Sequence, residues 1–371
     1  MPTRGVGVAA PGDVAPRVTF DGRLVGSGGI GTYIEEMLPR VIAALPSVRF
    51  TLLGDTAALR SLVPASTRIE LRSFTPRIYS IREQLAFRAA IPSDTALFWA
   101  PHYNIPLAWR GPLAVTIHDV GHLTLPQGSL AKRLYAREMF AAVRRRATVV
   151  FCVSDWTAAE VERQVGTPRR VTVTRNGVSP RWLCTADPAP VEGSPYFLYV
   201  GSIKPHKNLD RLLDAYAAVA GELSHRLVIA GPSDGLRTVD RRVLHRMASV
   251  DGVSYAGHLS RSGLEELVRG CDALVLPSIH EGFGLPPLEA LAAGRAVAVS
   301  RIAALQEVCG PMAEYFDPLD VSSIADALLR LARRGPDSSA TVDDRRAWAR
   351  QFDWDAAARA TTDGLRQALA D

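Results

Sequence analysis

The sequence predicts an α/β protein built from two doubly wound domains of mostly parallel strands. Short apolar runs alternate with helical segments along all 371 residues, and a proline-rich stretch at 184–195 divides the chain near its middle. A chain of this length is too long for one ordinary core, and its 47% apolar content is that of a globular protein. We therefore predict domains at residues 1–183 and 184–371.

Nine strands are predicted from short apolar or β-branched runs. They lie at Val18–Phe20, Phe50–Leu53, Ala96–Trp99, Ala114–Ile117 and Val149–Val153 in the first half, and at Tyr196–Val200, Leu227–Ala230, Ala273–Leu276 and Ala296–Val299 in the second. The clearest helix is Thr32–Ala44, which carries an apolar stripe. The last helix, Trp354–Leu369, has Asp353 available as its cap and can pack on either domain.

Composition excludes several classes of protein. The four cysteines are scattered without a Cys-x-x-Cys pair, so we expect neither a zinc site nor a disulfide framework, and a reducing cytoplasm fits best. No apolar run reaches the roughly 18 residues that a membrane-spanning helix needs. Nucleic acid is disfavoured as a partner because the sequence shows no interleaved aromatic platform and no recognisable binding module.

Charge is divided unevenly along the chain: residues 1–185 carry a net charge of +10, and residues 186–371 carry −5. Two basic segments, both predicted as amphipathic helices, account for much of the excess. They contain Arg72, Arg77, Arg82 and Arg88, and Lys132, Arg133, Arg137, Arg144, Arg145 and Arg146. Such faces can lie peripherally on the anionic inner face of a membrane or meet an anionic acceptor, but a merely solvated face has the same pattern.

The first glycine-rich turn runs from Gly26 to Tyr33, between the first strand and the first helix. Ligands of open α/β sheets bind beyond the carboxyl ends of strands, so such turns mark candidate sites. This one contains Gly28, Gly29, Ile30 and Gly31, and we interpret it as a turn that admits a phosphate or an acceptor.

Three further segments follow predicted strands or turns. In the segment from Gly201 to Asn208, Lys207 can place an ammonium against a leaving diphosphate, although surface lysines are common. His118 ends a strand, where it can contact a sugar or accept a proton, or be purely structural. The Asn176-Gly177 pair predicts a turn near the domain junction.

The segment from His280 to Glu289 is the most informative in the chain. Two carboxylates, Glu281 and Glu289, bracket Gly282 and Gly284, and the glycines let backbone N–H groups approach a diphosphate. A helix beginning near Pro286 would point its positive end at the same place. Helix capping and a solvated helix face are the structural alternative for the two glutamates.

Together these segments resemble the retaining glycosyltransferases of family four, which have the two-domain GT-B architecture of facing Rossmann-like domains. The resemblance runs from about Val18 to the C-terminus. Its most specific part is the Glu-x7-Glu motif, and the segment around Pro205-His206-Lys207-Asn208 resembles the group's donor-phosphate segment. Many relatives carry arginine where this chain has Ser202, and Lys204 is the candidate substitute.

The resemblance implies roles for these residues. Glu281 would contact donor-sugar hydroxyls, Glu289 the ribose, and His118 would lie near the anomeric centre. The catalytic set is His118, Glu281 and Lys207; the donor-binding set is Gly201, Ser202, Lys204, Lys207, Glu281, Gly282, Phe283, Gly284, Leu285 and Glu289. The acceptor or phosphate side is formed by Gly28, Gly29, Ile30, Gly31 and Tyr33.

The implied activity is transfer of a hexosyl group, with retention, from a nucleoside diphosphate sugar to a hydroxyl of a saccharide, lipid-linked or small natural-product acceptor. The glycine turn and the Pro-His-Lys-Asn segment look most like those of GDP-mannose users, and UDP-linked hexoses are the alternative. We expect no cofactor and no metal, because Lys207 and helix N-termini can supply positive charge. The one Asp-x-Asp triplet, at 353–355, is better explained by helix capping.

Two other classes stay open. Sugar-nucleotide epimerases share the architecture but need no acceptor, and a silent sugar-nucleotide-binding partner would need no chemistry. The setting of Glu281 and Glu289 favours transfer. Because the two halves of such a site come from different domains, a hinge near the linker is expected.

Overall fold

Two parallel sheets, each covered by helices, organise the protein. The computed structural model describes residues 15–125, 130–183, 195–232, 241–335 and 337–371. The N-terminal elements are β1 (Arg17–Asp21), α1 (Gly28–Ala44), β2 (Arg49–Gly54), α2 (Thr56–Leu62), β3 (Ile69–Ser73), α3 (Ile81–Ala90), β4 (Thr95–Ala100), β5 (Leu113–Ile117), α4 (Gly121–Thr124), α5 (Leu130–Arg146), β6 (Val149–Cys152), α6 (Asp155–Val165) and β7 (Val171–Val173).

The second half repeats the alternation of strand and helix. Its elements are β8 (Tyr196–Val200), α7 (Leu209–Val219), β9 (Arg226–Ala230), α8 (Arg241–Ser249), β10 (Val253–Gly257), α9 (Arg261–Gly270), β11 (Ala273–Leu276), α10 (Leu285–Ala292), β12 (Ala296–Ser300), α11 (Ala303–Cys309), β13 (Ala313–Phe316), α12 (Val321–Arg333), α13 (Ser339–Ala349) and α14 (Trp354–Ala370).

Within the described ranges, the first sheet has seven strands in the order β3-β2-β1-β4-β5-β6-β7, and the second has six in the order β10-β9-β8-β11-β12-β13. Neighbouring strands pair in parallel throughout. The central strands are apolar on both faces because helices cover both; β5 and β6 are buried at every residue. The fold class predicted from the sequence is confirmed: two Rossmann-like domains of the GT-B type.

The sequence located the central strands and missed the edges. All nine predicted strands are present, and the four additional ones, β3, β7, β10 and β13, are the outermost strands of the two sheets. The helix predicted from Thr32 begins earlier, at Gly28, so the glycine turn supplies the first turn of α1. The domain boundary predicted at 184, and most of the proposed linker, lie outside the described residues.

The first basic segment is not one amphipathic helix, contrary to the sequence prediction. Arg72 lies in β3 and Arg77 in the following loop, because α3 begins only after Ser80. Ser80 accepts a hydrogen bond from the N–H of Glu83 and the Glu83 carboxylate accepts from that of Ser80, a capping box that fixes the start of the helix. The second basic segment does form one helix, α5.

The last helix returns to the N-terminal domain. Arg366 Nη2 donates to the carbonyl of Ala44 at the end of α1, 2.9 Å away. A methyl group on Gly364 would lie 2.6 Å from Cε1 of Phe151 in β6, so only glycine permits this approach. Asp353 accepts from the N–H of Asp355 and of Ala356, at 2.9 and 3.1 Å, which confirms its predicted capping role.

The two chain segments that connect the domains lie side by side. The N–H of Val178 donates to the carbonyl of Phe352 across 3.0 Å. Gly177, in the predicted Asn-Gly turn, packs so tightly that a methyl group on it would lie 2.2 Å from the backbone nitrogen of Trp354. Movement of one domain against the other must therefore bend both segments together.

Candidate active site

The predicted site residues meet where the carboxyl ends of strands from the two sheets face each other. His118 follows β5, the turn from Gly201 to Lys207 follows β8, and the loop from Glu281 to Gly284 follows β11. Gly28 opens α1 after β1. This is the edge at which parallel α/β sheets bind ligands.

The domains are closed against each other at Gly282. A methyl group on this residue would lie 1.7 Å from the carbonyl oxygen of His118. The carbonyl of Gly282 accepts hydrogen bonds from Ser154 Oγ at 2.6 Å and from Thr157 Oγ1 at 2.9 Å. Next to this contact, Glu307 accepts from the N–H of Asp155 at 2.9 Å and caps α6 from the opposite domain.

Lys207 and Glu281 form an ion pair within the cleft. Lys207 Nζ lies 2.6 Å from Glu281 Oε1, and both side chains are half-buried. An ion pair shielded from water holds both groups in one geometry more firmly than an exposed pair would. It therefore fixes a carboxylate that can accept sugar hydroxyls beside an ammonium that can face a phosphate.

Two helix N-termini, from different domains, face each other. Neither α1 nor α10 has a side-chain cap on its first N–H groups, and neither has an acidic residue in its first turn. A methyl group on Gly29 in α1 would lie 3.8 Å from Leu285 Cδ1 in α10. Gly284 precedes α10 with φ of +112°, a conformation that favours glycine. Uncapped N–H groups at two positive helix ends are suited to an anion.

Lys204 adds positive charge to the same region. Burial, and then the charge of Lys207, lowers the pKa of Lys204, while Asp119 of the opposite domain opposes this shift. Crowding of ammonium groups beside two helix N-termini costs free energy that a bound anion would recover. The cleft is thus electrostatically suited to a group with more than one negative charge.

His118 presents a neutral ring to the cleft. Its Nε2 lies 2.8 Å from the carbonyl of Pro101, and since a carbonyl can only accept, Nε2 carries the proton and Nδ1 a lone pair. Burial lowers the pKa of His118 to about 4. At neutral pH the ring can therefore accept a hydrogen bond through Nδ1.

Tyr33 corrects the sequence prediction that it belongs to the acceptor or phosphate side. Its side chain is fully buried on the inner face of α1, and its hydroxyl shares a hydrogen bond of 3.0 Å with Thr116 Oγ1. Its ring meets the ring of His118 edge to face, with centroids 4.9 Å apart. Tyr33 packs against the His118 ring from the protein interior and exposes no surface to a substrate.

Glu289 lies in α10 beside Arg181 and Trp182, which come shortly after the connecting segment at Gly177 and Val178. Burial raises the pKa of Glu289 to about 7, and the nearby Arg181 and Trp182 offset this only in part. Glu36 of α1 and Glu265 of α9 raise the pKa of Glu289 further. Glu289 is therefore a carboxylate whose burial is not fully compensated by its protein neighbours, as expected of a group that accepts hydrogen bonds from ligand hydroxyls.

Comparison with known proteins identifies the family. The families described as "Glycosyltransferase Family 4" and "Glycosyl transferases group 1" match residues 27–182 and 184–348. A glycogen synthase of Mycobacterium tuberculosis is 32% identical over 308 residues, which cover 78% of this chain and 68% of that protein. The chain belongs to the family 4 glycosyltransferases.

Two further similarities extend over nearly the whole transferase. The O-antigen chain mannosyltransferase B of Escherichia coli is 27% identical over 361 residues, which cover 88% of this chain and 93% of that protein. The structure of HepE from Anabaena in complex with UDP-glucose has a TM-score of 0.74 at 16% identity, covering 95% of this chain and 99% of that chain. The latter similarity is one of fold.

Sequence reasoning missed two groups of the transferase's cleft, Asp119 and His280. A methyl group on Gly121 would lie 3.1 Å from Asp119 Oδ1 and 3.2 Å from His280 Nε2, so the two side chains meet across the domain boundary. The N–H of Gly121 donates to Asp119 at 2.7 Å. Both residues could have been predicted, because ligands bind beyond the carboxyl ends of strands, and Asp119 follows His118 while His280 precedes Glu281.

These two groups are electrostatically linked. Burial alone would raise the pKa of Asp119, but His280, His122 and the Gly121 N–H together lower it below its usual range. His280 Nε2 is buried without a hydrogen-bond partner among the described residues. A buried polar atom without a partner, beside an ionised carboxylate, provides a place for a ligand hydroxyl.

A buried ionic network lies at the carboxyl end of β1 in the transferase's N-terminal domain. Arg23 bridges Asp21 and Glu83 with two contacts of 2.7 Å, and all three side chains are almost inaccessible. Burial would raise the pKa of Asp21, but Arg23 and His102 hold it well below its usual range. Glu83 also accepts from the N–H of Tyr79 at 2.8 Å, which fixes the loop before α3.

We expect Glu289→Gln to stabilise the unliganded transferase at alkaline pH. Glu289 has a raised folded-state pKa, so its destabilising effect grows as pH rises from about 4.5 to about 7 and is complete above that range. For this half-buried group the gain at pH 8 is about 1–2 kcal/mol, and at pH 5 it is small. Calorimetry at both pH values measures it.

The matched control is Glu266→Gln, which changes an exposed glutamate of α9. It should leave the unfolding temperature unchanged at both pH values. If Glu289→Gln is no more stable than the wild type at pH 8, Glu289 does not carry the destabilising charge described above.

Proposed function

We propose that the transferase moves a mannosyl group from GDP-mannose to a hydroxyl of a saccharide, lipid-linked or small natural-product acceptor, with retention at the anomeric carbon. The observation that carries a nucleoside diphosphate donor is the pair of uncapped helix N-termini, α1 and α10, that face each other beside Lys204 and Lys207. The resemblance of the glycine turn and the Pro-His-Lys-Asn segment to those of GDP-mannose users supports the donor. So does the similarity to an O-antigen mannosyltransferase.

The donor diphosphate would lie between the two helix ends. Lys207 faces the leaving phosphate, and Lys204 supplies the second charge in place of the arginine that many relatives carry at the position of Ser202. Glu281, held by its ion pair with Lys207, accepts hydroxyls of the donor sugar. Glu289 accepts hydrogen bonds from the ribose hydroxyls, which would offset the cost of its burial.

Retention would follow from reaction on one face of the sugar. The bond between the anomeric carbon and the diphosphate oxygen breaks through an oxocarbenium-like transition state. The departing phosphate oxygen takes the proton of the acceptor hydroxyl. At the same time, the acceptor oxygen bonds to the anomeric carbon on the face that the phosphate leaves. Charge on the leaving group is neutralised by Lys207 and the helix ends, so the proposal requires no metal or other cofactor.

The neutral ring of His118 would orient the sugar. Its Nδ1 lone pair accepts from a donor-sugar hydroxyl, and the buried Tyr33 holds the ring in place. On the acceptor side, Tyr79, Tyr103 and His122 form an aromatic group, with ring centroids of Tyr103 and His122 5.4 Å apart. Aromatic faces suit the apolar face of a pyranose.

A UDP-linked hexose is the second candidate donor. It is favoured by the similar fold of HepE, whose structure contains UDP-glucose. The architecture of the diphosphate site is compatible with either base, because the helix ends and lysines contact phosphate and not base.

A ligand screen tests the donor. We expect GDP-mannose and GDP to raise the unfolding temperature more than UDP-glucose, UDP-N-acetylglucosamine or UDP, equally with and without EDTA. A ligand at 100 times its Kd stabilises by about 2.7 kcal/mol. No stabilisation by any of them would contradict the donor site, and stabilisation that EDTA removes would contradict the metal-free proposal.

Product analysis separates the remaining classes. Transfer to a saccharide acceptor with retained anomeric configuration, read by NMR coupling constants, is the expected result. An altered sugar nucleotide formed without acceptor would indicate an epimerase. Donor binding with no product from any acceptor would indicate a silent binding partner.

A further inference from the structure

Exposed apolar side chains concentrate on one surface of the N-terminal domain. Nine large apolar or aromatic side chains are exposed in the described part of the chain, and six of them fall between residues 79 and 134. The four most exposed of these six lie on two helices: Ile81 (83% exposed) and Leu85 (65%) on α3, and Leu130 (72%) and Leu134 (52%) on α5. We call these four residues the α3–α5 patch.

Hydrogen bonds link the two helices that carry the patch. The hydroxyl of Tyr135 in α5 lies 3.5 Å from Glu83 Oε1 in α3. Leu107, itself exposed, connects them: its N–H donates to Gln84 of α3 at 2.9 Å, and its carbonyl accepts from Arg146 of α5 at 3.0 Å. On each helix, two apolar side chains one turn apart form a short exposed stripe.

Basic side chains surround the α3–α5 patch. The exposed faces of the two helices carry Arg82, Arg88, Lys132, Arg137, Arg144 and Arg145. Glu138 is the one exposed acidic residue in α3 and α5, because Glu83 is buried in the ionic network. Charge and exposed apolar surface therefore coincide, which a merely solvated basic face does not explain.

We propose that the α3–α5 patch docks the transferase on an anionic lipid bilayer, with its leucine and isoleucine side chains in the interface and the surrounding arginines on lipid phosphates. The described residues contain no helix that could cross a membrane. Charge complementarity favours an anionic bilayer, and the apolar side chains, which are exposed in the described structure, would insert into its interface.

The patch also places the active site relative to the lipid. Tyr79 precedes α3 directly, and its ring stands 6.0 Å from that of Tyr135 in α5 and 6.0 Å from that of His122 in α4. His122 in turn lies near Asp119 and affects its pKa. An acceptor anchored in the bilayer would therefore reach the cleft along this aromatic group, which selects a lipid-linked acceptor among those proposed above.

Vesicle co-sedimentation tests the docking surface. The wild-type protein should sediment with vesicles of phosphatidylcholine and phosphatidylglycerol, and much less with phosphatidylcholine alone. The double variant Leu85→Gln/Leu134→Gln should lower the bound-to-free ratio about tenfold, because two inserted side chains are lost. Arg144→Gln/Arg145→Gln should lower it comparably at about 0.1 M salt and little at about 1 M.

The matched control is Leu319→Gln, which alters an equally exposed leucine (63%) of the C-terminal half. It should bind vesicles like the wild type, and all variants should keep the wild-type unfolding temperature. Absence of wild-type binding, or binding unaffected by Leu85→Gln/Leu134→Gln, would overturn the proposal. So would a wild-type dimer that this double variant converts to monomer, since a second copy would then cover the patch.

The vesicle assay contains no sugar donor, so its outcome is independent of the proposed function. Vesicle binding by a protein that no sugar nucleotide stabilises would contradict the proposed function alone. Donor binding without vesicle binding would contradict only the docking surface and the lipid-linked acceptor that rests on it.

Discussion

Replacing Gly282 with alanine should abolish most sugar transfer while leaving both domains folded. The added methyl group would lie 1.7 Å from the carbonyl oxygen of His118, a contact that backbone cannot relieve by a rotamer change. The domains would have to separate, and the bonds from Ser154 and Thr157 to the Gly282 carbonyl would lengthen. A displacement of about 1 Å in an active site can cost about 100-fold in rate, so we expect at least this loss in kcat.

Gly282→Ala should affect only the closure of the two domains against each other. Each helix and strand around Gly282 belongs to one domain, so the unfolding temperature should change little. Gly221→Ala is the matched control, because a methyl group there has no heavy atom within 4 Å. Wild-type kcat in Gly282→Ala would contradict the closed arrangement as the reactive one.

Replacing Lys207 with alanine should lower kcat/KM for the donor by about 10²–10³-fold, the range for removing one group that stabilises transition-state charge. The change removes the ammonium from the leaving diphosphate. It also leaves Glu281, 2.6 Å from Lys207 Nζ in the wild type, as an unpaired carboxylate beside the phosphates. Steady-state kinetics with the identified donor measure the loss.

A double-mutant cycle separates the two causes. If unpaired Glu281 contributes, Lys207→Ala/Glu281→Gln should be less impaired than the product of the two single losses. Lys207→Arg is the second control: it keeps the charge, and should retain more activity than Lys207→Ala despite its different geometry. A loss below tenfold in Lys207→Ala would contradict the role of this lysine at the leaving group.

The limits of the sequence prediction follow from burial. Central strands such as β5 and β6 are covered on both faces, so they are continuous apolar runs that a sequence displays directly. Edge strands are partly exposed and carry polar residues: β3 has the sequence Ile-Glu-Leu-Arg-Ser, and none of its residues is fully buried. The spacing of apolar residues and the local composition therefore identify the central strands of each sheet better than its edge strands.

The candidate site was predictable to the extent that it depends on strand ends. His118 follows β5 directly, Lys207 and Glu281 lie in the loops after β8 and β11, and topology brings such strand ends together. The burial of Tyr33 was not predictable, because it depends on where α1 begins. Nor was the meeting of Asp119 with His280, which needs the relative placement of two domains, or the return of α14, which the sequence left open.

The most direct test of this account is a crystal structure of the transferase with the nucleoside diphosphate that stabilises it most. The account predicts phosphate oxygens within hydrogen-bond distance of backbone N–H groups at the starts of α1 and α10 and of the Lys207 ammonium, with the ribose on Glu289. A diphosphate bound away from these helix ends, with the Lys207–Glu281 pair unchanged, would contradict it.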